Sequence, residues 1–331
     1  MIITVTMNAA VDKLYRVETL DPGKVMRVYS CRNTAGGKGL NVTRVLKQLD
    51  QEVLALGITA GHNGDFIEEE LRKLGIRHDF ARGVGESRCC VNVVEASSGR
   101  QTEFLEPGPS IDDTALWDFN SRFARAVGPG KVVAMSGSLP KGVPPGFYGQ
   151  LASIARESGA KVIVDSSGGA LSASLTGYPD LVKPNVDEAG ALLGRRLRGL
   201  AEVALAATEL MARGAGAAAV SMGAEGVVFA SPAGVIRAKP PKIVPRNAVG
   251  CGDTMVAGFA TGMAEGWDAE RTVRFAVALS CASALCEETG AFVDSDLEDL
   301  LPRIEVSRIP LGLPEPGDSG GQTAGAGGQA G

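Results

Sequence analysis

Aromatic side chains make up only 5% of this 331-residue chain, so its core must rest on Ala, Val, Leu and Ile. Histidine is nearly absent. His62 and His78 are the two present, and neither has a second metal ligand at useful spacing. The six cysteines, at 31, 89, 90, 251, 281 and 286, make no zinc signature: Cys89 and Cys90 are adjacent, and Cys281 and Cys286 are wrongly spaced for a knuckle. Reduced, metal-free thiols of a cytoplasmic protein are the expectation. Basic residues are not in excess, with 33 Lys and Arg against 38 Asp and Glu and a net charge of −5, which argues against a nucleic-acid or membrane-surface partner. Long apolar runs are missing as well. The longest are strand-sized and broken by charge, too short for a bilayer. Met1–Thr6 lacks a basic n-region and reads as a first strand, not a signal peptide.

What is present is alternation. Short β-branched runs at Val53–Ile58, Lys131–Met135, Lys161–Asp165 and Ala217–Met222 read as strands. Between them, Val42, Val45, Leu46 and Leu49 follow amphipathic helical spacing, and Gly64–Leu74, Asp112–Ala126, Gly146–Glu157 and Leu200–Arg213 are further helix candidates. Such order predicts an α/β fold with a mostly parallel sheet covered on both faces, whose ligands bind beyond the carboxyl ends of the strands. Two stretches break the rhythm. Lys24–Asn33 and Arg88–Glu106 read as paired strands, the second turning at Ser97–Gly99, and suggest a small β-lid within about residues 8–33 and 86–108. The Gly-, Pro- and Ala-rich tail, 311–331, has no apolar periodicity and is expected to be disordered, leaving 1–310 as one domain.

Glycine clusters carry the chemistry. Gly250-Cys251-Gly252-Asp253 opens a helix whose apolar face is Met255, Phe259 and Met263. Unobstructed N–H groups at a helix start, with the macrodipole behind them, suit a transferring phosphate. Asp253 in the first turn is placed to take a hydroxyl proton, although the tetrapeptide alone reads equally well as a cap. Ala35-Gly36-Gly37-Lys38-Gly39-Leu40-Asn41 lacks P-loop spacing, yet offers close backbone approach, an ammonium and an amide to a polyhydroxylated, charged ligand. Polar residues recur at strand ends: Asn8, Asp12, Ser136, Ser138, Asp165, Lys183, Asn185 and Ser221. Asn185 and Glu188, three apart at a helix start, suit either water around a magnesium ion or a capping box.

Taken in order, Asp12, Gly36–Gly39, Ser136–Pro140, Lys183-Pro-Asn185 with Glu188, and Gly250–Asp253 resemble the ribokinase-like sugar kinases of the phosphofructokinase B family over roughly residues 1–305. The resemblance implies a three-layer α/β/α domain with a β-sheet lid, and ATP and Mg2+ in the reaction. It implies Asp253 as base, with Gly250, Cys251 and Gly252 as anion hole. Lys183, Asn185, Glu188, Ser221, Gly223 and Gly226 would hold the nucleotide, Glu188 reaching the metal through water, and the helix near Ala282–Leu285 would line an adenine pocket. Asp12, Gly37, Lys38, Asn41 and Ser138 would contact the sugar. The runs Thr34–Arg44, Gly85–Arg88 and Thr102–Gly108 are similar to the branch comprising tagatose-6-phosphate kinase and 1-phosphofructokinase. That branch implies a phosphorylated ketohexose substrate, with Arg27 and Arg88 in the lid for its phosphate, since guanidinium donates in parallel. A homodimer through the lid is likewise expected. Cys251 stands where such kinases usually carry Ala or Ser; a small buried thiol is the expectation, ahead of one whose pKa a helix start lowers enough to sensitise the site to oxidation.

Overall fold

A computed structural model describes residues 1–310; the expected tail, 311–331, lies outside the described residues. The chain opens with β1 (Ile2–Thr6), buried throughout, as a strand covered on both faces requires. It leaves the main sheet for β2 (Ala10–Val17) and β3 (Ser30–Gly36), then returns through α1 (Lys38–Gln48), β4 (Val53–Thr59), α2 (Gly61–Lys73) and β5 (Arg77–Arg82). A second excursion comprises β6 (Arg88–Glu95) and β7 (Gln101–Leu105). There follow α3 (Asp113–Ala126), β8 (Val132–Ser136), α4 (Phe147–Glu157), β9 (Lys161–Asp165), α5 (Gly168–Ser174) and β10 (Leu181–Val182). The remainder runs α6 (Val186–Leu193), α7 (Gly199–Ala212), β11 (Ala218–Ser221), β12 (Val227–Ser231) and β13 (Gly234–Lys239), then α8 (Cys251–Ala264), α9 (Ala269–Leu285), α10 (Asp294–Leu300) and β14 (Glu305–Arg308).

The main sheet has ten strands in the order β14-β13-β12-β11-β10-β9-β8-β1-β4-β5. From β5 to β11 every pairing is parallel; β11 to β14 form an antiparallel edge that apolar runs alone did not reveal. Alternation along β1 sends Ile2 into one core and Ile3 and Val5 into the other. The first core lies under α1, α8 and α9, with Leu40, Val45, Phe259 and Val277; the second lies under α3, α4 and α7, with Phe119, Phe123, Tyr148 and Leu210. Among the described residues, no helix is long and apolar enough to cross a membrane.

The lid is a separate four-stranded sheet, β3-β2-β6-β7. β2 pairs antiparallel with β3 and parallel with β6, and β6 turns at Ser97–Gly99 into antiparallel β7. Its strands differ from the expected ones. Lys24–Tyr29 is an irregular connection, the strand beginning only at Ser30, and β2 carried no readable signal. A two-layer core imposes clean apolar alternation on its strands, whereas the half-exposed lid imposes little.

Candidate active site

The parallel strands deliver their carboxyl ends to one side of the main sheet, and the lid stands over that side. Between them lies a cleft of about 1100 Å³. Two helix starts face it. Gly37 precedes α1 at φ 95° and Gly250 precedes α8 at φ 82°, conformations that glycine adopts without strain. Neither start has a side-chain cap, and the N–H groups of Gly39, Gly252 and Asp253 have no acceptor among the described residues, which leaves them for an anion.

Asp253, the third residue of α8, is buried in that first turn. Its carboxylate Oδ2 accepts from Asn41 Nδ2 at 2.8 Å. Burial pushes its pKa up to about 7; the nearby Lys38 and Lys183 ammoniums and the Asn41 bond oppose the rise, while Asp165 adds to it. A carboxyl near neutrality is matched to accepting a hydroxyl proton. Asp165, at the end of β9, is fully buried and neither oxygen has a hydrogen-bond donor at bonding geometry. Two ammoniums compensate it instead, Lys183 at 3.3 Å and Lys38 at 3.7 Å. Lys38 in turn is pushed up, chiefly by Asp165, and stays cationic. The Lys183 ammonium lies against Gly252, where an added Cβ would be 3.4 Å from it. Two fixed cations thus flank the α8 start.

The other end of the cleft is built on the lid. Asp12 on β2 accepts from Gly37 N at 3.4 Å, and burial raises it to about 6 against the pull of Arg44 and Arg88. A Cβ on Gly36 would overlap the Asp12 carboxylate, so glycine is needed for this approach. Arg88 donates from Nε to the Asn8 carbonyl at 3.2 Å and from Nη1 to the Glu106 carbonyl at 3.2 Å, which holds its guanidinium at the cleft wall. Asn8 Nδ2 also donates to Ser138 Oγ at 3.2 Å.

Of the residues picked out in the sequence, Asp12, Gly37, Lys38, Asn41, Arg88, Ser138, Lys183, Asn185, Glu188, Ser221, Gly223, Gly250, Cys251, Gly252 and Asp253 all line this cleft. Arg27 does not. It is exposed in the connection between β2 and β3, outside the cleft of its own chain. Gly226 also stands back, closing the turn after β11 by accepting from Met222 N; a Cβ there would overlap the Ala238 carbonyl. Asn185 and Glu188 form a reciprocal capping box at the start of α6, Glu188 N donating to Asn185 Oδ1 at 2.8 Å and Asn185 N to Glu188 Oε2 at 2.9 Å. On α9 the lining residues are Ser280, Cys281 and Ala284, while Ala282 points into the core. The less favoured reading, an activated Cys251, does not fit: burial pushes that thiol up to about 12, outweighing the helix start, so it is a poor nucleophile at neutral pH. Sequence reasoning also missed Arg32 and Arg44. Arg44 sits one turn along α1 from Asn41, and its cleft-facing position followed from helical spacing with Asn41.

Two glycine-opened helix starts, a buried near-neutral acid and paired lysines in one cleft are a phosphoryl-transfer arrangement, and the family comparison agrees. The model of the pfkB family carbohydrate kinases matches residues 4–296. The chain is a pfkB family carbohydrate kinase. It is 34% identical over 312 residues to a tagatose-6-phosphate kinase of Staphylococcus epidermidis, covering 93% of this chain and all of that one. Phosphofructokinase-2 from Escherichia coli superimposes with a TM-score of 0.87 at 30% identity, over 91% of this chain and 98% of that one. A possible 1-phosphofructokinase from Thermotoga maritima does so with 0.84 at 26%, over 94% and 100%.

Proposed function

We propose that this kinase transfers the γ-phosphate of ATP to a primary hydroxyl of a ketohexose phosphate, tagatose 6-phosphate or fructose 1-phosphate, giving the 1,6-bisphosphate. The observation that carries the reading is Asp253: a buried carboxyl with a pKa near 7, at an uncapped helix start, in one cleft with Asp12, Asn41 and Arg88. Kinship with a tagatose-6-phosphate kinase and likeness to a possible 1-phosphofructokinase support the substrate class.

In this mechanism Asp12, Gly37 and Asn41 hold sugar hydroxyls, and Arg88 offers its remaining donors to the sugar's phosphate. Asp253 Oδ1, not engaged by Asn41, receives the proton of the attacking hydroxyl. The N–H groups of the Gly250–Gly252 turn, with Lys38 and Lys183, stabilise the charge spread over the transferring phosphoryl group. The lid excludes water that would otherwise compete as acceptor.

Magnesium fits the donors present. Glu188 Oε2 is occupied by the capping box, and its other oxygen is left for a water of the ion. Among the described residues no three His, Cys, Asp or Glu cluster to hold a metal directly, which suits an ion that takes phosphate oxygens and keeps its waters. When bound it neutralises charge on the phosphates.

A homodimer through the lid belongs to the same proposal. The lid and its β2–β3 connection expose Val25, Tyr29 and Phe104, apolar side chains that a second copy would cover. The expected site of action is the cytoplasm.

The test is a coupled ADP assay over tagatose 6-phosphate, fructose 1-phosphate, fructose 6-phosphate and unphosphorylated fructose, repeated with Asp253→Asn. A preference for one of the first two, lost by about 10³-fold or more in kcat in the variant, is expected. Preference for fructose 6-phosphate or the free sugar would overturn the substrate, and full turnover in the variant would overturn the base.

A further inference from the structure

Arg44 is a half-buried arginine on the cleft side of α1 that, among the described residues, pairs with no carboxylate within salt-bridge distance. Its Nη2 donates to Asn41 Oδ1 at 3.1 Å and to the Thr289 carbonyl, and its Nε is buried without a partner. Burying a guanidinium N–H without a partner is costly, and a surface anchor would not require it. The Thr289–Gly290 turn packs directly onto it: a Cβ at Gly290 would lie 2.7 Å from Nη2.

The position of Arg44 decides which way Asn41 faces. An amide has an oxygen that accepts and a nitrogen that donates, and nothing in its shape prefers one orientation over the other. A guanidinium only donates, so Asn41 must turn its oxygen to Arg44 and its nitrogen to Asp253. Asp253 Oδ2 consequently meets an N–H donor at 2.8 Å. A donor stabilises the ionised carboxylate; the reversed amide would present an oxygen and stabilise the protonated acid.

We propose that Arg44 is a positioning residue for the phosphoryl transfer, fixing the Asn41 amide so that Asp253 is held as the free base. The inference rests on the reading of Asp253 as that base. The other groups facing Asp253 are Lys38 on α1, Lys183 after β10, Asp165 on β9 and Cys251 on its own helix; Arg44 itself also faces Asp12, Arg32 and Glu288. Their charges act directly, without passing through Asn41, and so does the charge of Arg44. That difference makes the relay testable.

The experiment is the pH profile of kcat for Arg44→Met, Asn41→Ala and the double variant, each checked for folding by near-ultraviolet circular dichroism. With Asn41 released, Arg44→Met should move the acidic limb up by about one pH unit and lower kcat at pH 7 about fivefold. In the Asn41→Ala background the same change should move the limb by no more than about 0.3 unit, because the intermediary is gone. Arg44→Lys, also a pure donor, should retain the parental limb. Any effect of Arg44 through Asp12 would appear in the KM for sugar, separately from the limb. Equal limb shifts in the parental and Asn41→Ala backgrounds, or no shift in Arg44→Met, would overturn the relay. If Arg44→Met does not fold, Gly290→Ala replaces it: the new Cβ pushes the guanidinium off Asn41 with the charge kept. It should give the same upward shift, and an unmoved limb would overturn the relay. Failure of the underlying reading looks different, because Asp253→Asn would then turn over at the parental rate.

Discussion

Asp253 shows how a single residue can be suited to its chemistry at a cost to the fold. Its carboxyl titrates near 7 in the folded protein and near 3.8 in an unfolded chain. Between those values the folded state holds a proton that the unfolded chain has released, so this contribution to stability is full below about 4 and is lost as pH rises through 7. Asp12, raised to about 6, acts in the same direction over a narrower window. Replacing Asp253 with Asn removes the buried charge. At pH 8 the variant should therefore unfold at a higher temperature than the parent, by on the order of 1 kcal/mol or more, with the gap closing toward pH 5. Calorimetry at the two pH values checks this. The same arithmetic gives the sign for activity: the base form grows as pH rises, so kcat should climb from pH 6 to pH 8. Asp253 was legible because glycine flanks it. Arg44 was less so: helical spacing sets it beside Asn41, but nothing in the run of α1 distinguishes a half-buried arginine from a solvated one, and only the fold brings the Thr289 carbonyl to it.

Among the elements, α8 and α9 pack closely against each other behind the site. A Cβ at Gly258 would stand 2.5 Å from Ala276 Cα and 3.0 Å from its Cβ, so the helices meet backbone to backbone there. Gly258→Ala should cost about 1–3 kcal/mol, read as a lower urea midpoint with unchanged slope. Because Asp253 rides on the first turn of α8, kcat should fall as well. The helices and parallel strands were readable because a core on each face enforces periodicity in their sequences. The antiparallel edge from β12 to β14 was not. Its runs are short, and pairing direction is a matter of connection geometry that apolar pattern does not encode. The lid strands were harder still. β2 reads Ala-Val-Asp-Lys-Leu-Tyr-Arg-Val, with no two-residue rhythm, because both its faces carry polar side chains.

For the whole molecule, two ion pairs join the lid to the turn that follows α9 at the edge of the cleft. Arg16 on β2 meets Glu287 at 2.9 Å, and Arg32 on β3 meets Glu288. These are exposed and individually weak, so they bias the lid toward the cleft without locking it. The apolar outer surface of the lid has the larger consequence. Phe104 of β7 is 56% exposed there in one chain, and alternation along the strand sets it on the face opposite Leu105, which lines the cleft. Phe104→Glu should convert a dimer into monomers in sedimentation velocity while the main sheet stays folded. A parental protein that sediments as a monomer at micromolar concentration would remove the dimer from the proposal.

The parallel ladder between β2 and β6 sets an order of events in folding. Ala10 pairs with Arg88, and Val17 with Glu95, so the centre of the lid cannot form until the intervening α1, β4, α2 and β5 have brought those partners together. Loop closure over such a span is entropically slow unless the main sheet forms first. Pulsed hydrogen exchange during refolding should therefore protect β1, β4 and β8 before β2 and β6. A refolding chain would lay down the floor of the cleft before it had a roof to close over it.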